Sequence, residues 1–346
     1  MTDVTAPGIA FVTDGGPEIG LGHLSRCAAL CRAAVADGAR TTVLLPEPSR
    51  IRPLLRGVRA ELLRCPWPVD ADRARATLVT LTPDVIVVDS YAASPHFLDS
   101  LRAIAPVVAV DDLADRPLPV DVVVNGGAGA ETLSYDRRPG TNYLLGPRYA
   151  LLDPAYAATP TRAATQRVRR VLVCLGGGRQ IDVGVTALAA VDRALSGCVV
   201  DVVVGASGTT GWELDGAARE MQNLAVIHRD RFGLRELMLR ADLAVSASGV
   251  TLLELAATAT PMVAVALVDN QRPNFEAFTK AGVALGAGAA GDPDLSDAIE
   301  AGVKRLAGDG ALRESLGARG RALVDGQGAH RVAELIGRPA RSWERR

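Results

Sequence analysis

Aromatic side chains are scarce in this chain: Phe, Trp and Tyr supply only 4% of its 346 residues. Hydrophobic residues still make up 48%, so the cores have to be built from Ala, Val and Leu. Lysine is also rare beside arginine, a compositional hint of a GC-rich bacterial genome. Strong charge of either sign is missing. A net charge of −1 and a pI near 6.5 give no electrostatic case for nucleic acid or an anionic membrane. The arginine-rich tracts "TQRVRR" and "RPARSWERR" read as solvated surface. No apolar run exceeds strand length without a break, which excludes a membrane span. The first residues lack the basic start and apolar core of a secretory signal. Cys27, Cys31, Cys65, Cys174 and Cys198 are odd in number and never spaced CxxC, an inventory expected of a reduced, cytoplasmic protein. The four histidines, His23, His96, His228 and His330, are far apart, with no HxxxH spacing, so no metal site is expected. Of the four, His96, His228 and His330 read as surface or structural residues.

What is present is rhythm. Val-rich runs of strand length alternate with amphipathic stretches. In the first half they fall at Ile9–Val12, Thr42–Leu45, Val85–Val88, Val107–Val110 and Val122–Val124. Near-continuous Val/Ile runs of this kind mark strands buried on both faces of a parallel sheet. After His23, residues Leu24, Cys27, Ala28, Leu30, Cys31, Ala34 and Val35 form one helical stripe. The segment from Leu151 to Arg170 lacks periodicity and reads as a linker. The rhythm then restarts at Val171–Leu175, Val199–Val204, Leu224–Ile227, Leu243–Val245 and Met262–Ala266. Two doubly wound α/β domains are expected, at 1–155 and 166–330, with a tail over 331–346.

Ligands of such folds bind beyond the carboxyl ends of the strands, and four loops there carry suitable chemistry. Gly20-Leu21-Gly22-His23 opens a helix, where backbone amides and the helix end favour an anion. A dinucleotide fingerprint would need a third glycine where Ser25 stands, so a nicotinamide cofactor is disfavoured and none is expected. Gly176-Gly177-Gly178 occupies the matching place in the second half, either as a phosphate-approach turn or as a plain tight turn. The third loop offers Ser246, Ser248, Gly249, Val250 and Thr251 at a helix start. Glu254, three residues after Thr251, suits a capping box; as a carboxylate one turn into the helix, it could instead accept ribose hydroxyls. The fourth, Asp269-Asn270-Gln271, could bond sugar hydroxyls or simply make a turn.

The segments "DGGPEIGLGHLSRCAAL", "VVDSY", "VVAVDDLADRPLPVDVVVN", "YLLGPRYALL", "LGGG" and "SASGVTLLELAATATPMVAVALVDNQ" run in order from about residue 9 to 282. Together they resemble the nucleotide-sugar hydrolase of pseudaminic acid biosynthesis and the related spore-coat polysaccharide biosynthesis proteins. The resemblance implies a GT-B architecture, two Rossmann-like domains with an interdomain cleft. It implies His23 as general base. It places the nucleotide diphosphate at Gly22, Gly177, Ser248, Gly249, Val250, Thr251 and Glu254. Asp14, Tyr91, Asn270 and Gln271 would then face the sugar, with Asp14 and Arg26 flanking the histidine turn. Where the hydrolase usually has Arg two residues before that aspartate, Val12 stands here, and the "TDGG" start is closer to the less characterised relatives.

The expected substrate is a nucleotide sugar, a UDP-linked amino or deoxy sugar in the first instance. A metal-independent hydrolase would cleave its anomeric C–O bond with inversion. An inverting glycosyltransferase with a small-molecule acceptor would use the same base, because water and an alcohol lose their proton alike. A non-catalytic nucleotide-binding relic is the third alternative.

Overall fold

The computed structural model describes residues 6–14, 21–160, 165–175, 181–204, 212–229 and 233–343. The chain divides into two compact units. One runs to Ala155 and resumes at Gly326; the other spans Tyr156–Asp325.

The first unit holds strands β1 (Gly8–Thr13), β2 (Arg40–Leu45), β3 (Ala60–Arg64), β4 (Val85–Asp89), β5 (Val107–Val110), β6 (Val122–Asn125) and β7 (Asn142–Leu145). Its helices are α1 (Gly22–Ala36), α2 (Ala71–Leu81) and α3 (Pro95–Leu101). All strand pairs are parallel, in the order β3-β2-β1-β4-β5-β6-β7. Alternation along the strands feeds two cores. Ile9, Phe11, Val85 and Val87 pack into the layer shared with α1, while Ala10, Val12, Ile86 and Val88 meet Leu78, Phe97 and Leu98 on the other face. Each such fully buried aliphatic side chain contributes about 1.5–3 kcal/mol. The α1 stripe is buried as its spacing predicts, with Val35 only half-buried.

The second unit repeats the plan with β8 (Arg170–Cys174), β9 (Val199–Val204), β10 (Leu224–Arg229), β11 (Leu243–Ala247), β12 (Met262–Ala266) and β13 (Leu285–Ala289). Helices α4 (Ile181–Ala194), α5 (Trp212–Glu220), α6 (Arg235–Arg240), α7 (Val250–Ala257), α8 (Arg272–Lys280), α9 (Leu295–Gly308) and α10 (Gly310–Leu323) flank the sheet. The strand order is β10-β9-β8-β11-β12-β13, again all parallel. The sequence reading omits β3, β7 and β13. In none of these three are all the side chains buried, so they lack the continuous apolar signature of central strands.

A last helix, α11 (Gly328–Ile336), corrects the domain boundary read from the sequence. Residues from Gly326 onward belong to the first unit; they neither close the second domain at 330 nor trail as a tail. The reason is amphipathicity: Ala329, Val332, Ala333 and Ile336 enter the same core as α1. Gly328 permits this docking, since a Cβ there would collide with the Ala150 backbone.

Both sheets have a switch point, where the winding reverses between neighbouring strands: β1/β4 in the first unit and β8/β11 in the second. Parallel doubly wound sheets bind ligands at that place.

Candidate functional site

In the first unit, β1 ends on Thr13 and Asp14, and Thr13 is in register with Asp89 at the end of β4. Trp67 Nε1 donates to the Thr13 carbonyl at 2.9 Å and fixes this strand end. His23, the second residue of α1, brings Nδ1 to 2.5 Å from Asp89 Oδ1. Arg26, nearly one turn further along the same helix, donates Nε to Asp89 Oδ2 at 3.1 Å and Nη2 to Oδ1 at 2.8 Å. A carboxylate held by that fork is ionised, so the short His23 contact is an Nδ1–H donated to Asp89. The 2.9 Å approach of Arg26 Nη2 to His23 Nδ1 is then two donors sharing one acceptor oxygen. Nε2 takes no part in that contact.

The network continues outward. Arg26 Nη1 lies 2.7 and 2.6 Å from the two oxygens of Asp112, and Tyr91 donates its hydroxyl to Asp112 at 2.8 Å. The Tyr91 ring meets His23 edge-on, with centroids 4.5 Å apart. Asp112 is aimed back at Arg26 by the turn that follows β5. There Asp111 accepts from the amides of Leu113 and Ala114 and from Tyr135, and Ala114 takes a left-handed φ of 51°. Burial opposes the Arg26 charge, but Asp112 and then Asp89 overcome it and hold the guanidinium protonated beyond its ordinary range. Burial would likewise raise the Asp89 carboxyl; Arg26 and His23 outweigh it and keep the group below its ordinary value. His23 itself is only 3% exposed.

Asp14 is 4% exposed, with Oδ2 accepting from Ser90 Oγ at 2.5 Å. Its other oxygen is buried without a hydrogen bond. Burial raises this carboxyl above its ordinary value, and the Ser90 bond offsets part of the rise.

The second switch point is built differently. Gly249 stands at the N-cap of α7 and, having no side chain, makes no side-chain cap hydrogen bond there. The capping-box alternative for Glu254 is therefore not realised: Thr251 lies inside the helix instead of at its cap. Glu254 stands half-buried one turn into α7. Ser248 is fully buried and spends both its amide and its hydroxyl on the Val265 carbonyl, at 3.0 Å each, so it shapes the loop. Gln271 ties the Asp269–Gln271 turn to this site. Its Oε1 accepts from Leu267 N at 3.0 Å, and its Nε2 is the nearest atom to a Cβ placed on Gly249, at 3.5 Å. Asn270 is exposed on that turn.

The expected sugar contacts thus divide, Asp14 and Tyr91 standing in the first unit and Asn270 and Gln271 in the second. Gly22 begins α1, with nothing crowding the place of its missing side chain. Gly20 and Gly177 lie outside the described residues. The sequence reading does not single out Asp89 or Asp112. Their signal is an acid placed directly after a Val run, at a strand's carboxyl end.

All five cysteines are free and buried, and burial pushes the Cys174 thiol up to about 12, which removes it as a nucleophile. His96 is exposed on α3 and His330 half-buried on α11. His228 bonds a fully buried aspartate, Asp201, through Nε2 at 2.7 Å. Among the described residues, no group of three or more His, Cys, Asp or Glu side chains is arranged to hold a metal ion. No helix among them is long and apolar enough to cross a membrane.

No protein-family model matches the sequence. The chain is 24% identical to the spore coat polysaccharide biosynthesis protein SpsG of Bacillus subtilis, covering 95% of this chain and 97% of that one. It is 21% identical to an uncharacterized protein of Methanocaldococcus jannaschii over 79% of this chain, and spans only 58% of that relative's length. Among solved structures, the glycosyltransferase of kitacinnamycin superposes with a TM-score of 0.67 at 20% identity, covering 96% of this chain and 98% of the other. Phytolacca americana UGT2, solved with UDP-2-fluoro-glucose and pterostilbene, superposes with a TM-score of 0.68 at 14% identity, covering 98% and 100%. The fold is GT-B, two Rossmann-like parallel-sheet domains.

Proposed function

We propose that this protein is an inverting enzyme of the glycosyltransferase type that acts on a nucleotide sugar, most simply a UDP-sugar. The observation that carries the reading is the 2.5 Å contact of His23 Nδ1 with Asp89 at the β1/β4 switch point, which leaves Nε2 to accept a proton. The second unit holds the nucleotide. The amides of α7 meet the diphosphate together with Gly177, Gly249, Val250 and Thr251, while Ser248 shapes the loop and Glu254 accepts from the ribose; Gly22, in the first unit, is assigned to the same ligand. Asp14, Tyr91, Asn270 and Gln271 read the sugar.

In the reaction, an oxygen nucleophile forms the new bond to the anomeric carbon as the old C–O bond breaks. The bonding pair leaves with the nucleoside diphosphate, whose growing charge the helix amides stabilise. His23 Nε2 takes the proton of the nucleophile, and Asp89 stabilises the resulting imidazolium. A single displacement of this kind inverts the anomeric centre.

The nucleophile of the primary reading is a hydroxyl of a small-molecule acceptor, in keeping with the glycosyltransferase neighbours. Hydrolysis is the second reading, favoured by the GLGH and DSY segments that resemble a nucleotide-sugar hydrolase.

The test is a panel of UDP-sugars incubated with the purified chain, alone and with candidate alcohols, with release of UDP as readout. Release that depends on an alcohol and yields its inverted glycoside is the expected result. Equal release without any alcohol transfers the assignment to hydrolysis. Nucleotide binding with no release under either condition overturns the enzymatic reading in favour of a binding protein.

A further inference from the structure

We propose that Asp112 is a positioning residue which, acting through Arg26, sets the proton affinity of the His23–Asp89 pair. This inference rests on the reading of His23 as the base. The supporting geometry is an alternating line of groups, each in contact with the next: Tyr91 hydroxyl, Asp112, Arg26, Asp89, His23.

Arg26 on its own would defeat the base. Its Nη2 lies 2.9 Å from the same ring nitrogen that donates to Asp89. An Arg–Asp89 pair sums to zero charge and offers an imidazolium little net attraction. Asp112 changes that sum. With both of its oxygens on Nη1, the set Asp89–Arg26–Asp112 carries a net charge of −1, which a proton on His23 neutralises.

The other groups facing this set do not undo it. On α1 these are His23, Arg26 and Cys27, a fully buried thiol that burial keeps protonated. From the end of β1 comes Asp14, held by Ser90 and raised by burial toward its neutral form. The β4 end contributes Asp89, Ser90 and Tyr91, whose phenol burial and Asp112 keep protonated. The β5 end contributes Asp111 and Asp112, and Asp111 has its own cation in Arg116 at 3.5 Å. Arg116 also pairs with Asp115, whose side chain is exposed and therefore screened. The Asp89–Arg26–Asp112 set thus keeps its net charge of −1 beside His23, with the Asp14 carboxyl held separately by Ser90.

The measurement is an NMR titration of the His23 imidazole in the ligand-free protein, with the signal assigned by its loss in His23→Ala. It needs no knowledge of the substrate. Asp112→Asn should move the titration midpoint to lower pH and Arg26→Gln should move it to higher pH. Each shift should be about one to two pH units, as expected for one partly buried charge a few ångströms away. The double variant R26Q/D112N should return close to wild type, a cancellation that loss of structure would not produce. Where D112N fails to fold, D112E and R26Q carry the test: the first retains the wild-type midpoint and the second raises it.

A midpoint unmoved by folded D112N, or shifts of the same sign in both single variants, overturns the inference. So does R26Q without a rise, or a displaced midpoint in D112E, where those are the variants available. The underlying reading fails separately, by survival of UDP release in His23→Ala.

Discussion

The molecule contains the same three side chains grouped twice, in different places. In the first unit Asp89 lies between His23 and Arg26; in the second Asp201 lies between His228 and Arg170, at 2.7 Å from His228 Nε2 and 2.5 and 3.1 Å from the Arg170 fork. Both aspartates are buried, and both carboxyls are held below their ordinary value against the cost of burial. Composition does not separate the two groups; position along the strand does. Asp89 ends β4 beside the switch point, and His23 bonds it through Nδ1, leaving Nε2. Asp201 sits in the body of β9, with Leu172 and Val226 beside it in register, and His228 spends Nε2 on it. One arrangement stands at the carboxyl end of its sheet, at the β1/β4 switch point; the other ties three strands together. A His–Asp–Arg group is a functional candidate where it stands at the carboxyl end of a strand beside a switch point.

That contrast can be broken by substitution. The largest expected effect is from His23→Ala, which should lower turnover by about 10²–10⁴-fold while leaving UDP affinity near wild type. His228→Ala should do neither to turnover. If the two histidine variants lose activity alike, position along the strand is not what distinguishes the groups.

Asp201→Asn should act on stability instead, costing about 1.5–3 kcal/mol in urea unfolding because it weakens the charge-assisted hydrogen bonds that the buried carboxylate accepts from Arg170 and His228. The pH dependence has a definite sign. Since the folded carboxyl titrates below the unfolded one, its contribution is fully present above about pH 4 and is lost as pH falls through the lower folded value. Wild-type stability should therefore decline in acid more steeply than that of D201N. Parallel declines would show that Asp201 is not the group responsible.

A smaller effect sharpens the contrast between the two switch points. Glu254→Gln should weaken UDP binding by about 10- to 100-fold, the loss expected for a charged hydrogen bond, with little change in unfolding. A loss of stability with unchanged UDP affinity would give Glu254 a structural role in α7. The smallest change is Gly22→Ala. No protein atom crowds that site, so stability should hold or rise by up to about 1 kcal/mol. A fall in turnover without a fall in stability would mark ligand approach to the glycine; unchanged turnover would remove Gly22 from the site.

Much of the architecture is legible in the residues themselves. Central strands announce themselves through unbroken Val runs, and the α1 stripe through its helical spacing. Three of the four edge strands do not, because β3, β7 and β13 mix polar or small residues into short runs, whereas the fourth, β10, keeps the apolar run Leu224–Ile227. His23 is visible as a rare residue on a glycine turn; its partners are not. Asp89 and Asp112 stand far along the chain, and only the order β1-β4-β5 brings them to Arg26. Glu254 shows the opposite failure, a local pattern that suits a cap while the helix begins before Thr251. Strand order and helix starts are tertiary outcomes, and local pattern does not determine them.

The return of α11 to the first unit has a consequence for how the protein is made. The helix that carries His23 shares its core with Ala329, Val332 and Ile336, residues synthesised after the whole second unit. The first unit can therefore complete the core around α1 only once the chain of the second unit has been made.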